Sequence, residues 1–308
     1  MTIIVISRRD KSVSYESIGV DSLVVTHFGH RPNSVARRGQ SRLEVGGTVN
    51  HLLGKVLADT RLCRVTKVIA SGKTFYRKQR HSYATILIWG AETFLRPPFH
   101  VLSERDWLDW EPQLYRRFYG LAVEADSTGR LTLPALPGLV LTDYLRLTGD
   151  AGLKMQAFEA ALRALWQLHQ TQVCFPCRVE ALFSHGDATA RNVIYDPIKG
   201  QARWFDFETM HDLNRPRAWR QADDLRAFTY STVAHLSGSS LSEAARCVIS
   251  VYADPLVLRE LSLIVERVRH KPDLFHLAQA DINKRQSSLW ADALQYELQK
   301  SPLSSPGK

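Results

Sequence analysis

The chain has 308 residues, 44% hydrophobic and 23% charged, which is enough apolar material for one large core or two modest ones and excludes wholesale disorder. No apolar run reaches the roughly 18 to 20 residues of a membrane-spanning helix, and the opening MTIIVISRRDK lacks the basic-then-apolar order of a secretory signal. A cytoplasmic protein is therefore expected. Its formal charge of +9 is uneven, with 15 Lys/Arg against 5 Asp/Glu in residues 1–80 and 25 against 26 in the remainder. A surplus of that kind suits a polyanion, whether nucleic acid, anionic lipid or nucleotide phosphates, or simply a solvated basic face.

In chain order, residues 1–45 form a basic extension with few structural signals. Arg37, Arg38 and Arg42 suggest a loop that meets phosphates, and Gly46-Gly47 lacks the strand-turn-helix context of a phosphate loop. Alternation over 62–70, a turn at Ser71-Gly72-Lys73 and a return over 74–80 predict a cationic hairpin carrying Lys78. Aromatic residues Phe75, Tyr76 and Tyr83 fit sheet packing better than base stacking. Ser103 with Glu104 and Asp106 predicts a helix start, Gly120 its end, and Trp107, Trp110, Leu114 and Phe118 a buried stripe beside Glu111. Strands are expected over 121–125 and 131–135.

At Leu136-Pro137-Gly138 the character changes from strand-rich to helix-rich. Helices are expected at 142–147, 153–169, 218–236, 241–253, 255–270, 273–283 and 286–299, and 301–308 reads as a disordered tail. The domain reading is an N-terminal lobe over 1–137 and a helical lobe over 138–300. Cys174 and Cys177 have C-x-x-C spacing without a second pair or a strand-to-helix setting, so they read as reduced loop thiols.

The chemistry concentrates in residues 182–208. His185-Gly186-Asp187 is followed by Asn192 five residues later, then by Asp206-Phe207-Glu208. Apolar residues lead into each acidic cluster, as if strands delivered the side chains to one place. Phosphoryl transfer needs a base for the acceptor hydroxyl, ligands for a metal bridging the phosphates, and a cation on those phosphates. Asp187 suits the base, and the Asn192 amide oxygen suits a hard cation. A hairpin of 193–195 and 203–205 about the turn at 197–200 returns Asp206 to complete the metal site.

These motifs, His185-Gly186-Asp187 through Asn192 and then Phe205-Asp206-Phe207-Glu208, resemble those of protein-kinase-like phosphotransferases. The H-G-D form is similar to aminoglycoside phosphotransferases and bacterial lipopolysaccharide-core kinases. The resemblance spans about residues 60–235. It implies an α+β, two-lobed fold with a small antiparallel sheet, one main helix and a larger helical lobe. It further implies ATP and Mg2+, with Asp187 as base, Asn192 and Asp206 as magnesium ligands, and His185 and Asp224 as supports. A strand lysine paired with a helix glutamate is also implied; Lys78 and Glu111 are the choices, with Lys67 and Arg96 as rivals. No G-x-G-x-x-G covers the phosphates. Only nine residues, 209–217, precede the next helix, and no A-P-E follows, which favours a small-molecule, sugar or lipopolysaccharide-type acceptor over a regulated protein. The alternatives are a protein Ser/Thr kinase and a catalytically weak, polyanion-binding regulator.

Overall fold

The computed structural model describes residues 62–84, 99–236, 240–270 and 284–301, all within one compact unit, Glu44–Lys308. The basic extension at 1–45, the rival Arg96, the helix expected at 273–283 and the tail beyond Ser301 lie outside the described residues. Among those described, no helix is long and apolar enough to cross a membrane.

Strands β1 (Cys63–Ala70) and β2 (Lys73–Arg80) pair antiparallel through a two-residue turn in which Ser71 and Gly72 both have positive φ. That conformation supplies the twist that a short hairpin needs. The turn is one residue tighter than expected because Lys73 already pairs with Ala70. After β3 (Phe99–Val101) comes helix α1 (Glu104–Tyr119), whose first turn is capped by Ser103 Oγ accepting from Asp106 N at 3.1 Å. Gly120 ends it at φ 65°, its N–H returning to the Arg116 carbonyl. Strands β4 (Glu124–Ala125) and β5 (Arg130–Pro134) close a four-stranded antiparallel sheet in the order β1-β2-β5-β4. Leu131 and Leu133 of β5 point into the core, and Leu131 sits opposite Lys78, which fixes the face on which that lysine lies.

Beyond Gly138 a short strand β6 (Leu139–Val140) leads into α2 (Leu141–Leu147) and α3 (Ala151–His169). Two hairpins follow: β7 (Gln172–Cys174) with β8 (Glu180–Leu182), and β9 (Val193–Asp196) with β10 (Gln201–Trp204). Strand β11 (Thr209–His211) crosses back to pair with β3. Helices α4 (Arg217–Thr232), α5 (Ser240–Val251), α6 (Pro255–His270) and α7 (Lys284–Lys300) complete the fold. The chain is thus α+β, with its antiparallel sheet N-terminal and its helices C-terminal. The cysteine pair is not a loop after a helix: Cys174 ends β7 and Cys177 lies in the turn to β8, both as free, exposed thiols.

Gly138 joins the two halves at φ 121°, where an added Cβ would stand 2.2 Å from the Tyr195 carbonyl oxygen. The obstructing atoms are backbone of β9, to which β6 is hydrogen-bonded, so they cannot swing aside. Gly138→Ala is expected to cost about 2 kcal/mol or more, from strain and clash together. Urea unfolding measures it, and a midpoint within error of wild type would contradict the close approach.

Candidate active site

Strands β8 and β10 lead into the two acidic clusters, ending at Leu182 and Trp204. Residues 183–192 and 205–208 beyond them are irregular, with a single 3-10 turn at Ala190–Asn192. What orders the first loop is a buried carboxylate. Asp224 of α4 accepts from His185 N at 2.6 Å, from Gly186 N at 2.9 Å and from His169 Nε2 at 2.9 Å. Gly186, at φ 84°, passes against Thr209, whose Oγ1 donates to the His185 carbonyl at 2.9 Å. Within the loop, Thr189 N and Asn192 N bond back to Asp187 O and Thr189 O, both at 2.9 Å. Asn192 Nδ2 donates to Asp187 O at 2.8 Å and to Asp187 Oδ2 at 3.1 Å. The carboxylate of Asp187 is therefore held in orientation by its own loop.

The second segment is anchored differently. Phe205 N donates to Asn192 O at 3.0 Å, which brings the two segments together at the open end of the β9–β10 hairpin. Phe207 is buried among Tyr115 and Phe118 of α1 and Phe183, with ring centroids 5.6 to 5.9 Å away. That aromatic cluster ties Asp206 and Glu208 to the helix carrying Glu111. Asp206 itself takes φ 66°, a conformation that costs a non-glycine residue about 1 kcal/mol and that Asp tolerates better than most.

Between these segments and the sheet lies a buried ionic cluster. Lys78 Nζ contacts Glu111 Oε2 at 3.1 Å, Glu208 Oε2 at 3.4 Å and Asp206 Oδ1. Glu111, only 1% exposed, sits inside the helix stripe rather than beside it, and it also accepts from Trp107 Nε1. The Lys78 ammonium stands over the Trp107 ring at 5.2 Å. Burial opposes its charge, yet the Asp206, Glu111 and Glu208 carboxylates outweigh burial and hold Lys78 well above the ordinary lysine range. Burial raises the Glu111 carboxyl, against the pull of Lys78. Cys63 Sγ donates to Glu208 Oε2 at 3.3 Å, and burial pushes that thiol well up, so it is not a thiolate nucleophile. This is a lysine on an inner strand, paired with a glutamate on helix α1 and touching an aspartate that follows the β9–β10 hairpin. The fold is protein-kinase-like.

No protein-family model and no curated protein matches the chain. Among solved structures it is similar to Rv3197 from Mycobacterium tuberculosis in complex with erythromycin, at 14% identity over 76% of this chain and 71% of that one, with a TM-score of 0.33. It is also similar to a divergent kinase that lacks the glycine-rich loop and regulates membrane ultrastructure of the Toxoplasma parasitophorous vacuole. That match has 12% identity over 80% and 88% of the two chains and a TM-score of 0.31. Both overlays are loose, and the kinase-like fold rests on this chain's own sheet order and ion pairs.

Two features of the kinase-like site bear on what it could hold. Val65 lies opposite Lys78 on β1, and Tyr76 two residues before it on β2, so both share its face. They are 52% and 40% exposed, an apolar surface of the kind a nucleobase covers, beside a buried cation. Among the described residues no group of three or more His, Cys, Asp or Glu side chains is arranged to hold a metal ion by itself. Magnesium does not require such a group, since it keeps several waters and takes one or two protein oxygens plus phosphates. Asn192 spends its amide N–H on Asp187, which leaves its carbonyl oxygen for a cation, and Asp206 is 29% exposed at the side chain. The donor set fits.

Several site residues carry no local sequence signal: Cys63 beside Lys78, and His169, Tyr252 and Thr209 behind the loop around Asp187. Tyr252 OH donates to His169 Nδ1 at 2.9 Å, so a neutral His169 donates to Asp224 through Nε2. His185 Nε2 donates to Phe205 O at 3.0 Å. Burial keeps His169 and His185 below the ordinary histidine value, despite Asp224. Unfolded, both titrate near pH 6.5. Below that the unfolded chain takes up protons that the folded chain refuses, so their contribution is complete above about pH 6.5 and is lost as pH falls towards the folded values. The thermal midpoint is expected to drop between about pH 7.5 and about pH 5.5. A flat profile across that window would contradict the buried neutral imidazoles.

Proposed function

We propose that the chain is an ATP-dependent phosphotransferase that moves the γ-phosphoryl group to a hydroxyl of a small-molecule, sugar or lipopolysaccharide-type acceptor. The observation that carries this reading is the Lys78–Glu111 pair at 3.1 Å with Asp206 on the same ammonium. A buried lysine held by an enclosed glutamate, beside two partly exposed carboxylates that a divalent cation could take up, suits the phosphates of a nucleotide bound with magnesium. In this reading Lys78 holds the nucleotide phosphates and Glu111 keeps its ammonium in place. Asn192 and Asp206 hold magnesium, which neutralises charge on the phosphates when bound. Asp187, oriented by Asn192, takes the proton of the acceptor hydroxyl at its carboxylate.

The segment after Glu208 supports a compact acceptor. It forms β11, pairs with β3 and enters α4 at Arg217, with no room for a long regulatory loop. A compact acceptor suits that geometry. We place the reaction at a cytoplasmic site, peripheral to the inner membrane surface if the acceptor is lipid-linked, with the bend at Gly138 as the hinge between lobes 1–137 and 138–300.

The test is a panel of hydroxyl acceptors, from aminoglycosides to phosphorylated core sugars and serine peptides, incubated with Mg-ATP and read for phosphate transfer by mass. Transfer to one soluble class that requires magnesium supports the reading. ATP binding that neither magnesium nor Asp206→Asn alters would overturn it.

A further inference from the structure

We propose that the outer face of the four-stranded sheet carries an oxyanion site, built by Arg64, Arg77 and Arg130, that takes a phosphate group. The strand period separates this face from the catalytic one. Arg77 and Gln79 flank Lys78 on β2 and so point to the opposite side of the sheet. The register sets the neighbours: Arg64 and Arg130 stand on either side of Gln79, and Thr66 stands beside Arg77 in the next row. These five side chains line a cavity of about 260 Å³. The proposal does not depend on phosphotransfer at Lys78.

Three observations point to a ligand. First, like charges in adjacent rows of a sheet repel, yet no carboxylate lines this cavity. Glu124 and Asp126 lie outside the lining, and the Asp126 charge interacts with Arg130 from there, which leaves Arg64 and Arg77 with no carboxylate beside them in the lining. Glu124 is at the sheet edge opposite Thr132, and Asp126 accepts from Thr128 and from the Arg130 backbone. Second, Arg130 Nε is buried without a partner among the described residues, a state that native proteins seldom leave unanswered. Third, the size suits a small anion. The cavity is below the roughly 300 to 1,000 Å³ of sites that swallow whole organic ligands, which fits a phosphate or a phosphorylated terminus rather than a nucleotide.

The chemistry favours phosphate over carboxylate. A guanidinium presents a planar fork that matches phosphate oxygens two at a time. A phosphate monoester brings about −1.5 to −2 charges, against three cations, where a carboxylate brings one. Thr66 and Gln79 add neutral donors to the lining. The phosphate can belong to a soluble metabolite or to an anionic lipid headgroup, and both present the same oxygens.

The experiment uses the full chain with inorganic phosphate, titrated calorimetrically at low salt, and phosphatidylcholine vesicles with and without phosphatidic acid. Arg64→Gln, Arg77→Gln and the double variant are compared with wild type after matching their thermal midpoints. Both positions are exposed and outside the catalytic cluster. Each substitution is expected to weaken phosphate about tenfold, with the double variant weaker still and wild-type binding falling as salt rises. Phosphate binding without vesicle association supports a soluble ligand. Association that needs phosphatidic acid and is lost in the double variant supports a lipid headgroup. Equal affinity in wild type and the double variant, or no binding of either probe by wild type, overturns the site.

Discussion

Lys78→Met is expected to lower stability by about 3 kcal/mol and to abolish turnover, because it leaves Glu111 buried without its cation. The cost falls mainly on Glu111, which is enclosed; Asp206 and Glu208 are partly exposed and recover some hydration. Trp107 Nε1 still donates to Glu111, so the loss is that of a charge left with one neutral partner rather than none. The sign of the pH dependence follows. Without Lys78 the folded Glu111 carboxyl is raised by burial and by the charges of Asp206 and Glu208, above its unfolded value near 4.3, so the folded chain holds a proton that the unfolded chain has released. The penalty therefore grows as pH rises from about 5 to about 8. Urea unfolding of wild type and variant at both pH values measures this. A penalty that is constant with pH would mean that Glu111 is not the group left exposed to burial.

Asp224→Ala should be at least as damaging, by about 4 kcal/mol, since three donors lose their acceptor at once. Two of them are the backbone N–H groups of His185 and Gly186, on the approach to Asp187, and the third is His169. Burial opposes the Asp224 charge, but the surrounding imidazoles, His169 through its hydrogen bond among them, outweigh it and keep the carboxyl below the ordinary range. Asp224→Asn is the informative comparison. An amide offers one acceptor oxygen and turns a donor towards a donor, so it is expected to fold with a smaller loss yet to misplace the loop. The readout is turnover against stability. Folded Asp224→Asn with undiminished turnover would show that the loop does not depend on this carboxylate for its shape.

How much of this the sequence discloses depends on whether a feature is local. Helix α1 announces both ends, because a serine before two acids and a glycine after the apolar stripe act within a turn of themselves. The β1–β2 hairpin is visible in alternation and a glycine, and the strand-rich to helix-rich change at Gly138 in composition. That strands lead into the loop around Asp187 is visible in the apolar residues before it, but the order of the loop's own backbone comes from Asp224, 38 and 39 residues away. Periodicity gives the face on which Lys78 lies, and it does not say what crosses to meet it. Glu208 and Cys63 meet across 145 residues, and His169 and Tyr252 across 83. Such pairings are fixed by packing of whole elements, and nothing near either residue encodes them. The outer arginines are likewise visible only once the register of β1, β2 and β5 puts them in adjoining rows.

The measurement closest to the central claim is single-turnover phosphoryl transfer from Mg-ATP to the acceptor found by the panel, in wild type and in Asp187→Ala, with ATP affinity measured in parallel. A base held by its own loop, apart from the Lys78 cluster, predicts that Asp187→Ala binds ATP within about threefold of wild type and transfers at least about a hundredfold more slowly. Transfer at the wild-type rate in Asp187→Ala would contradict the assignment of the base, and with it the phosphotransferase reading of the site.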